Sequence, residues 1–242
     1  KIGKFKVKLH RPIEGEIKTI TLQRDCVGKW YVCFSCDNVP IKPLPKTNKV
    51  VGIDIGCEKF LATSDGQLID NPRFLKKSFD VLKRKQQYLS RKHKGSNSRR
   101  KARKEVAKIH QKIANQRLDF HHKVALWLCR NYDTICIENL QSWNSWRNLN
   151  RSMRDVAWQQ FFNILTSKVE YTGKQVIKVP PKGTSQICSS CSKEVPKDLS
   201  VRVHNCPFCG LVIDRDINSA INILRLGMSL DGSNVSVRSH TL

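Results

Sequence analysis

Acidic residues are what this chain has least of relative to its bases. Only 20 Asp and Glu stand against 44 Lys and Arg, for a net charge of +24. A surplus of that size suits a polyanionic partner, with nucleic acid first and an anionic membrane surface as the alternative. Long apolar runs are also missing. None approaches the length of a membrane-spanning helix, and the N-terminus carries no signal peptide, so the sequence reads as neither membrane-integral nor secreted. An initiating methionine is absent too: the chain starts at Lys1 and is expected to be a fragment or a processed product. Its 242 residues suffice for a buried core and one or two domains.

Cysteine, by contrast, is plentiful. Four of the ten form two CxxC pairs, Cys188/Cys191 and Cys206/Cys209, with fourteen residues between the pairs. Each CxxC brings two thiolates to one point through a tight knuckle. Two knuckles complete a tetrahedral shell of four sulfurs for structural zinc. Redox CxxC motifs normally come singly beside a strand–helix unit, which leaves that alternative weak. The remaining six, Cys26, Cys33, Cys36, Cys57, Cys129 and Cys136, are expected to be mostly small buried hydrophobes in a reducing compartment. The location this implies is the cytoplasm.

Residues 1–46 read as strands: Lys18 to Gln23 is β-branched, Val27-Gly28-Lys29 makes a turn, and Trp30 to Ser35 follows. Val50-Val-Gly-Ile-Asp-Ile-Gly is a short apolar run, with a hairpin after it across Asp65-Gly66. Leu75, Phe79, Leu82 and Leu89 fall at helical spacing, Lys94-Gly-Ser-Asn-Ser breaks the run, and Val106 to Leu128 marks a second long helix. Residues 76–117 hold sixteen bases and two acids, too one-sided for an ordinary solvated face, and are expected to contact a nucleic-acid backbone. Asp133 to Leu140 reads as a buried strand, followed by a polar stretch with Trp143 and Trp146. Val156 to Val169 reads as a helix and Gln175 to Val179 as another strand. After the cysteines a final helix is expected to end near Gly227, with a Ser-rich, disordered tail at 229–242.

Three acids stand where acids are unwelcome. Asp54 interrupts an apolar strand, Glu138 terminates one, and Asp216 opens the last helix. A buried carboxylate is costly unless it is paired or binds a metal. Each also has a plainer reading: Asp54 as a turn cap, Glu138 as a lysine partner, Asp214 and Asp216 as helix N-caps. The element order strand–strand–strand–helix–strand–helix–strand–helix matches an α/β, RNase H-like mixed sheet. In that fold the first strand lies beside the fourth and a late helix docks its N-terminus nearby, converging the three acids. Such oxygen ligands suit Mg2+ or Mn2+, and two ions about 4 Å apart can drive phosphodiester hydrolysis.

GIDIG with Asp54, IENL with Glu138, the TSQICSSC and CPFCG knuckles and DRDINSAINIL together resemble the TnpB/OrfB family of insertion-sequence proteins, relatives of type V CRISPR effectors. Met153 to Phe161 also looks like that family, and the resemblance covers roughly residues 48–227. It implies a RuvC-like nuclease domain (47–180 and 211–228), a zinc ribbon inserted at 181–210, and a remnant of a wedge β-barrel, oligonucleotide-binding-like, at 1–46. It further implies Asp54, Glu138 and Asp216 as the catalytic, magnesium-holding acids; Asp216 is preferred to Asp214 because Ile217-Asn218 follows it, as in the family. The implied activity is RNA-guided DNA cleavage in a transposase-labelled element, with guide RNA and target DNA as partners and the protein a monomer with its RNA, a dimer being left open. Full-length members carry an N-terminal recognition region that this chain lacks, so a truncated product is expected, and Ser192 stands where the family has glycine after the first CxxC. A truncated or nuclease-inactive zinc-ribbon protein that binds DNA or RNA is the competing reading. A stand-alone RNase H or junction resolvase is disfavoured by the ribbon and the basic helices.

Overall fold

A computed structural model describes residues 4, 6–139, 155–181, 183–198 and 200–231. Trp143, Trp146, Met153 and the tail from 232 onward lie outside the described residues. By contact density the chain divides into two units, residues 1–42 with 75–118, and 43–74 with 119–242. Among the described residues no helix is long and apolar enough to cross a membrane.

In the first unit β1 (Glu16–Arg24) and β2 (Trp30–Asp37) pair antiparallel, from Arg24 opposite Trp30 to Glu16 opposite Asp37. Asp25 builds the turn, accepting the N–H groups of Val27 and Lys29 at 3.0 and 2.7 Å, and Gly28 supplies the positive φ of 93° that the turn requires. No barrel closes over this hairpin among the described residues, and β1 is exposed along its whole length. That corrects the expectation for the spare cysteines: Cys26 and Cys33 are exposed, Cys36 and Cys57 are half-buried, and only Cys129 and Cys136 are interior. A strand-like setting hides a thiol only where a second layer covers the sheet. Helices α1 (Phe74–Ser90) and α2 (Asn97–Asn131) follow. The Arg99 guanidinium closes off the α1 end by donating to the Leu89 and Lys92 carbonyls at 3.1 and 2.9 Å.

The second unit is built on β3 (Val50–Ile55), β4 (Lys59–Thr63), β5 (Leu68–Asp70), β6 (Thr134–Glu138) and β7 (Gln175–Val179), in the order β5-β4-β3-β6-β7. The first three are antiparallel neighbours, whereas β6 runs parallel to β3 and β7 parallel to β6. The first strand therefore sits centrally beside the fourth, as an RNase H-like sheet requires. Residues 119–131 of α2 and α3 (Trp158–Thr172) cover one face. Val51, Ile53, Ile135 and Ile137 meet Leu128, Phe161 and Leu165 there in a closed core. On the opposite face lies α4 (Arg215–Leu230), packing Ile223, Leu224 and Met228 on Cys136 and Val179. This helix continues past Gly227 to Leu230. Between β7 and α4 come two cysteine knuckles and a small hairpin, β8 (Val203–Asn205) with β9 (Val212–Asp214), so the inserted hairpin reaches the residue before α4.

Candidate active site and metal centre

Strand periodicity brings the first two acids to one place. Side chains alternate across a sheet, so with Ile53 and Ile137 in the closed core, Gly52 and Cys136 face α4. One step further along each strand, Asp54 and Glu138 point the same way. The parallel register pairs Ile53 with Ile137, and its continuation sets Asp54 beside Glu138.

Two glycines let α4 lie backbone-to-strand on this face. A Cβ on Gly52 would come within 2.1 Å of the Ala220 carbonyl oxygen and 2.5 Å of the Leu224 nitrogen. A Cβ on Gly227 would stand 2.3 Å from the Cys136 sulfur. With the helix seated this closely, its first turn delivers Asp216 to the sheet edge. There the Asp216 carboxylate lies 3.8 Å from where a Gly56 Cβ would stand. The two aspartates of DRD then divide their tasks. Asp214 caps the helix, accepting the N–H groups of Asp216 and Ile217 at 2.8 and 3.2 Å, and Asp216 is left buried with its carboxylate toward the site.

Charge is concentrated here to an unusual degree. Burial, and then the neighbouring charges of Glu138 and Asp216, push the Asp54 carboxyl up to about 8, although Arg215 opposes the shift. Burial raises Glu138 as well, against the lowering effect of a hydrogen bond from the Thr184 hydroxyl. The Arg215 guanidinium lies 3.2 Å from the Asp216 carboxylate. Each acid comes from a different element, and among the described residues Asp216 alone of the three forms an ion pair, with Arg215.

The cysteines form the second centre. Their two knuckles repeat one geometry: Ser192 N–H bonds Cys188 O at 2.9 Å as Gly210 N–H bonds Cys206 O at 2.9 Å. Cys188 N–H reaches Lys193 O, and Cys206 N–H reaches Leu211 O, each at 2.9 Å. Ser192 and Gly210 occupy the same left-handed position, with φ of 62° and 73°. All four sulfurs lie within 4.8 Å of one another, a group that could hold a metal ion. Across the pairs, Cys188 and Cys209 stand 3.7 Å apart and Cys191 and Cys206 3.6 Å. Burial works against a thiolate at Cys206, but the N–H groups of Phe208 and Cys209, with the Cys209 and Cys191 sulfurs, outweigh it and lower its pKa, whereas burial raises Cys188 in the same group. Among the described residues no carboxylate group is gathered as tightly as these sulfurs: Glu138 is turned to Thr184 and Asp216 to Arg215.

Sequence reasoning missed the residues that join the two centres. Asn218 and Asn222, one helical turn apart on α4, both donate to the Ile187 carbonyl, at 2.8 and 2.7 Å. Their (i, i+4) spacing within DRDINSAINIL was the available signal.

The described elements form an RNase H-like mixed α/β fold, with a four-cysteine group ahead of its last helix. Residues 32–148 match the family model described as "Probable transposase", and residues 158–223 match "Cas12f1-like, TNB domain". A "Putative RNA-guided DNA endonuclease" of Streptomyces pristinaespiralis is 36% identical over 96% of this chain and 59% of its own length. "Putative RNA-guided DNA endonuclease InsQ" of Escherichia coli (strain K12) is 31% identical over 94% of this chain and 61% of its own. The fold also resembles the protein in "Cryo-EM structure of the Cas12f1-sgRNA-target DNA complex", with a TM-score of 0.60 and 19% identity over 84% of this chain and 44% of that one. Over most of its length the chain is thus similar to proteins named RNA-guided DNA endonucleases, and residues 32–148 to the family of probable transposases. It spans about three-fifths of the length of these two curated relatives.

Proposed function

We propose that this chain is the nuclease part of an RNA-guided DNA endonuclease of a transposable element, cutting DNA at Asp54, Glu138 and Asp216. The observation that carries the reading is the Asp54 carboxyl, pushed up to about 8 by burial and by two further acids from separate elements. Like charges assembled at a sheet edge cost stability, and a divalent cation relieves that cost. Hard oxygen donors with room for water fit Mg2+ or Mn2+. Bound there, such ions supply the Lewis acidity for phosphodiester hydrolysis. The protein's own part is to fix the donors: β3 and β6 hold two of them in register, and α4 presents the third.

Zinc is the metal we assign to Cys188, Cys191, Cys206 and Cys209. A tetrahedral zinc with Zn–S bonds of about 2.3 Å sets its sulfurs about 3.8 Å apart. The cross-pair separations of 3.6 and 3.7 Å suit that shell. With all four positions taken by protein, the ribbon is structural, and the cutting chemistry belongs to the carboxylates. Guide RNA and target DNA are the partners, the named activities of the relatives and the basic helices both supporting this. In this reading sequence is read by base pairing, and the protein grips backbone and shape. It works in the bacterial cytoplasm, as a monomer with its RNA. The domain limits follow the same reading: a wedge-barrel remnant at 1–46, the nuclease domain around a ribbon insertion, and a C-terminal tail.

Co-expression with the DNA flanking its element tests this directly. The purified protein is expected to carry an RNA from that DNA and to cut matched duplex when Mg2+ is supplied. Bound RNA without cutting at any divalent metal would favour a nucleic-acid-binding protein that has no nuclease activity.

A further inference from the structure

One buried hydroxyl connects the ribbon to the carboxylate site. Thr184 is 5% exposed, and its side chain donates to Oε1 of Glu138. It precedes the first knuckle, and its position is tightly determined. The Thr184 carbonyl accepts from Asn222 Nδ2 at 2.9 Å, and Asn222 also holds Ile187 O. Asn218 accepts the Ser189 N–H at 2.9 Å, and the Arg225 guanidinium donates to Ser189 O at 2.6 Å. The segment from Thr184 to the residue after Cys188 is thereby laced to α4, the helix that carries Asp216.

A glutamate at a strand end has three side-chain torsions with which to miss its target. A hydroxyl bonded to one oxygen removes most of that freedom and leaves the second oxygen open. Outer hydrogen bonds of this kind orient ligating carboxylates and set metal affinity. We propose that Thr184 is the positioning residue for Glu138. Its hydroxyl holds one carboxylate oxygen so that the other is presented to a divalent cation, and the cysteine ribbon determines where that hydroxyl stands. This rests on the carboxylate reading above, and it gives the ribbon a task in catalysis other than gripping nucleic acid.

The test is Mn2+ binding to the purified, zinc-loaded chain, followed by electron paramagnetic resonance without nucleic acid. Thr184→Val removes the hydroxyl at nearly constant volume and is expected to weaken Mn2+ binding about tenfold or more. Zinc content should stay at the wild-type value. Thr184→Ser restores the hydroxyl and should return affinity to within about threefold of wild type. Should the valine variant lose its fold, Thr184→Ala carries the same expectation. Wild-type Mn2+ affinity in the valine variant would overturn the proposal, and so would a serine variant as weak as the valine one. Asp54→Asn and Glu138→Gln separate the two levels of the argument. If neither weakens Mn2+ binding, the carboxylate reading itself is wrong. If both do and Thr184→Val does not, only the role of Thr184 falls.

Discussion

Strand β6 is bracketed by two acids in opposite circumstances. At its start, Asp133 accepts the N–H groups of Thr47 and Asn48, at 2.9 and 2.6 Å, and pairs with the Lys174 ammonium. Burial disfavours its charge, but Lys174 and those N–H groups more than compensate and hold it down to about 2. At the other end burial raises Glu138, whose hydrogen bond comes from the neutral Thr184 hydroxyl, and Asp54 beside it is pushed up to about 8. One end of the sheet spends its acid on stability. The other keeps its acids in mutual repulsion, the pattern that marks a candidate functional site.

The most damaging way to disturb this comparison is to remove what ties down the functional end. Cys206→Ser takes one sulfur from the shell, and because zinc binding is coupled to folding, zinc content should fall from about one per chain to near zero. Soluble yield should fall with it, and residues 183–214 should become sensitive to protease. Full zinc content in that variant would refute the four-cysteine site.

Next in size is the stabilising end. Asp133→Ala leaves the Lys174 side chain, only 2% exposed, without its carboxylate. Abandoning a buried charge costs about 3 kcal/mol, measurable by denaturant unfolding. The same pair predicts acid sensitivity. Because the folded pKa of Asp133 lies below its unfolded value, its contribution is present above about pH 4 and lost as pH falls toward about 2. After allowance for screening this is worth about 1 kcal/mol, and the alanine variant should lack that part of the acid transition.

The functional end should respond with the opposite sign. At neutral pH a carboxyl pushed up to about 8 must take up a proton on folding, so Asp54→Asn in metal-free protein removes that cost and should raise the melting temperature by about 2–4 °C, or about 1 kcal/mol. A lower melting temperature would mean that Asp54 is a structural acid like Asp133. Smallest is Ser192→Gly, which relieves a left-handed φ of 62° at the first knuckle. A gain of about 0.5 kcal/mol is expected, trimmed by the greater freedom of glycine in the unfolded chain.

Much of this arrangement was legible in the sequence. The short apolar runs Val50 to Ile55, broken by one acid, and Thr134 to Glu138, ended by one, located both strands and both carboxylates. The CxxC spacing located the ribbon. What stayed hidden was contact between distant segments. Capping chemistry alone does not distinguish Asp214 from Asp216, because either can cap a helix; the preference for Asp216 rests on the Ile217-Asn218 after it, and the cap made by Asp214 is seen only in the structure. Thr184 lies among ordinary turn residues, and its importance comes from Glu138, 46 positions away. The cysteines of the hairpin misled in the other direction, since alternation along β2 indicates which side chains share a face but not whether anything covers it.

The central claim is that cutting belongs to the carboxylates and the ribbon is scaffold. Cleavage of guide-matched duplex by Asp54→Ala, measured with its bound RNA, zinc content and DNA affinity, tests it most directly. The account predicts at least a thousandfold loss of cleavage, the scale of losing about 4 kcal/mol of metal-centred stabilisation, with RNA, zinc and affinity unchanged. Cutting at the wild-type rate in that variant would contradict it.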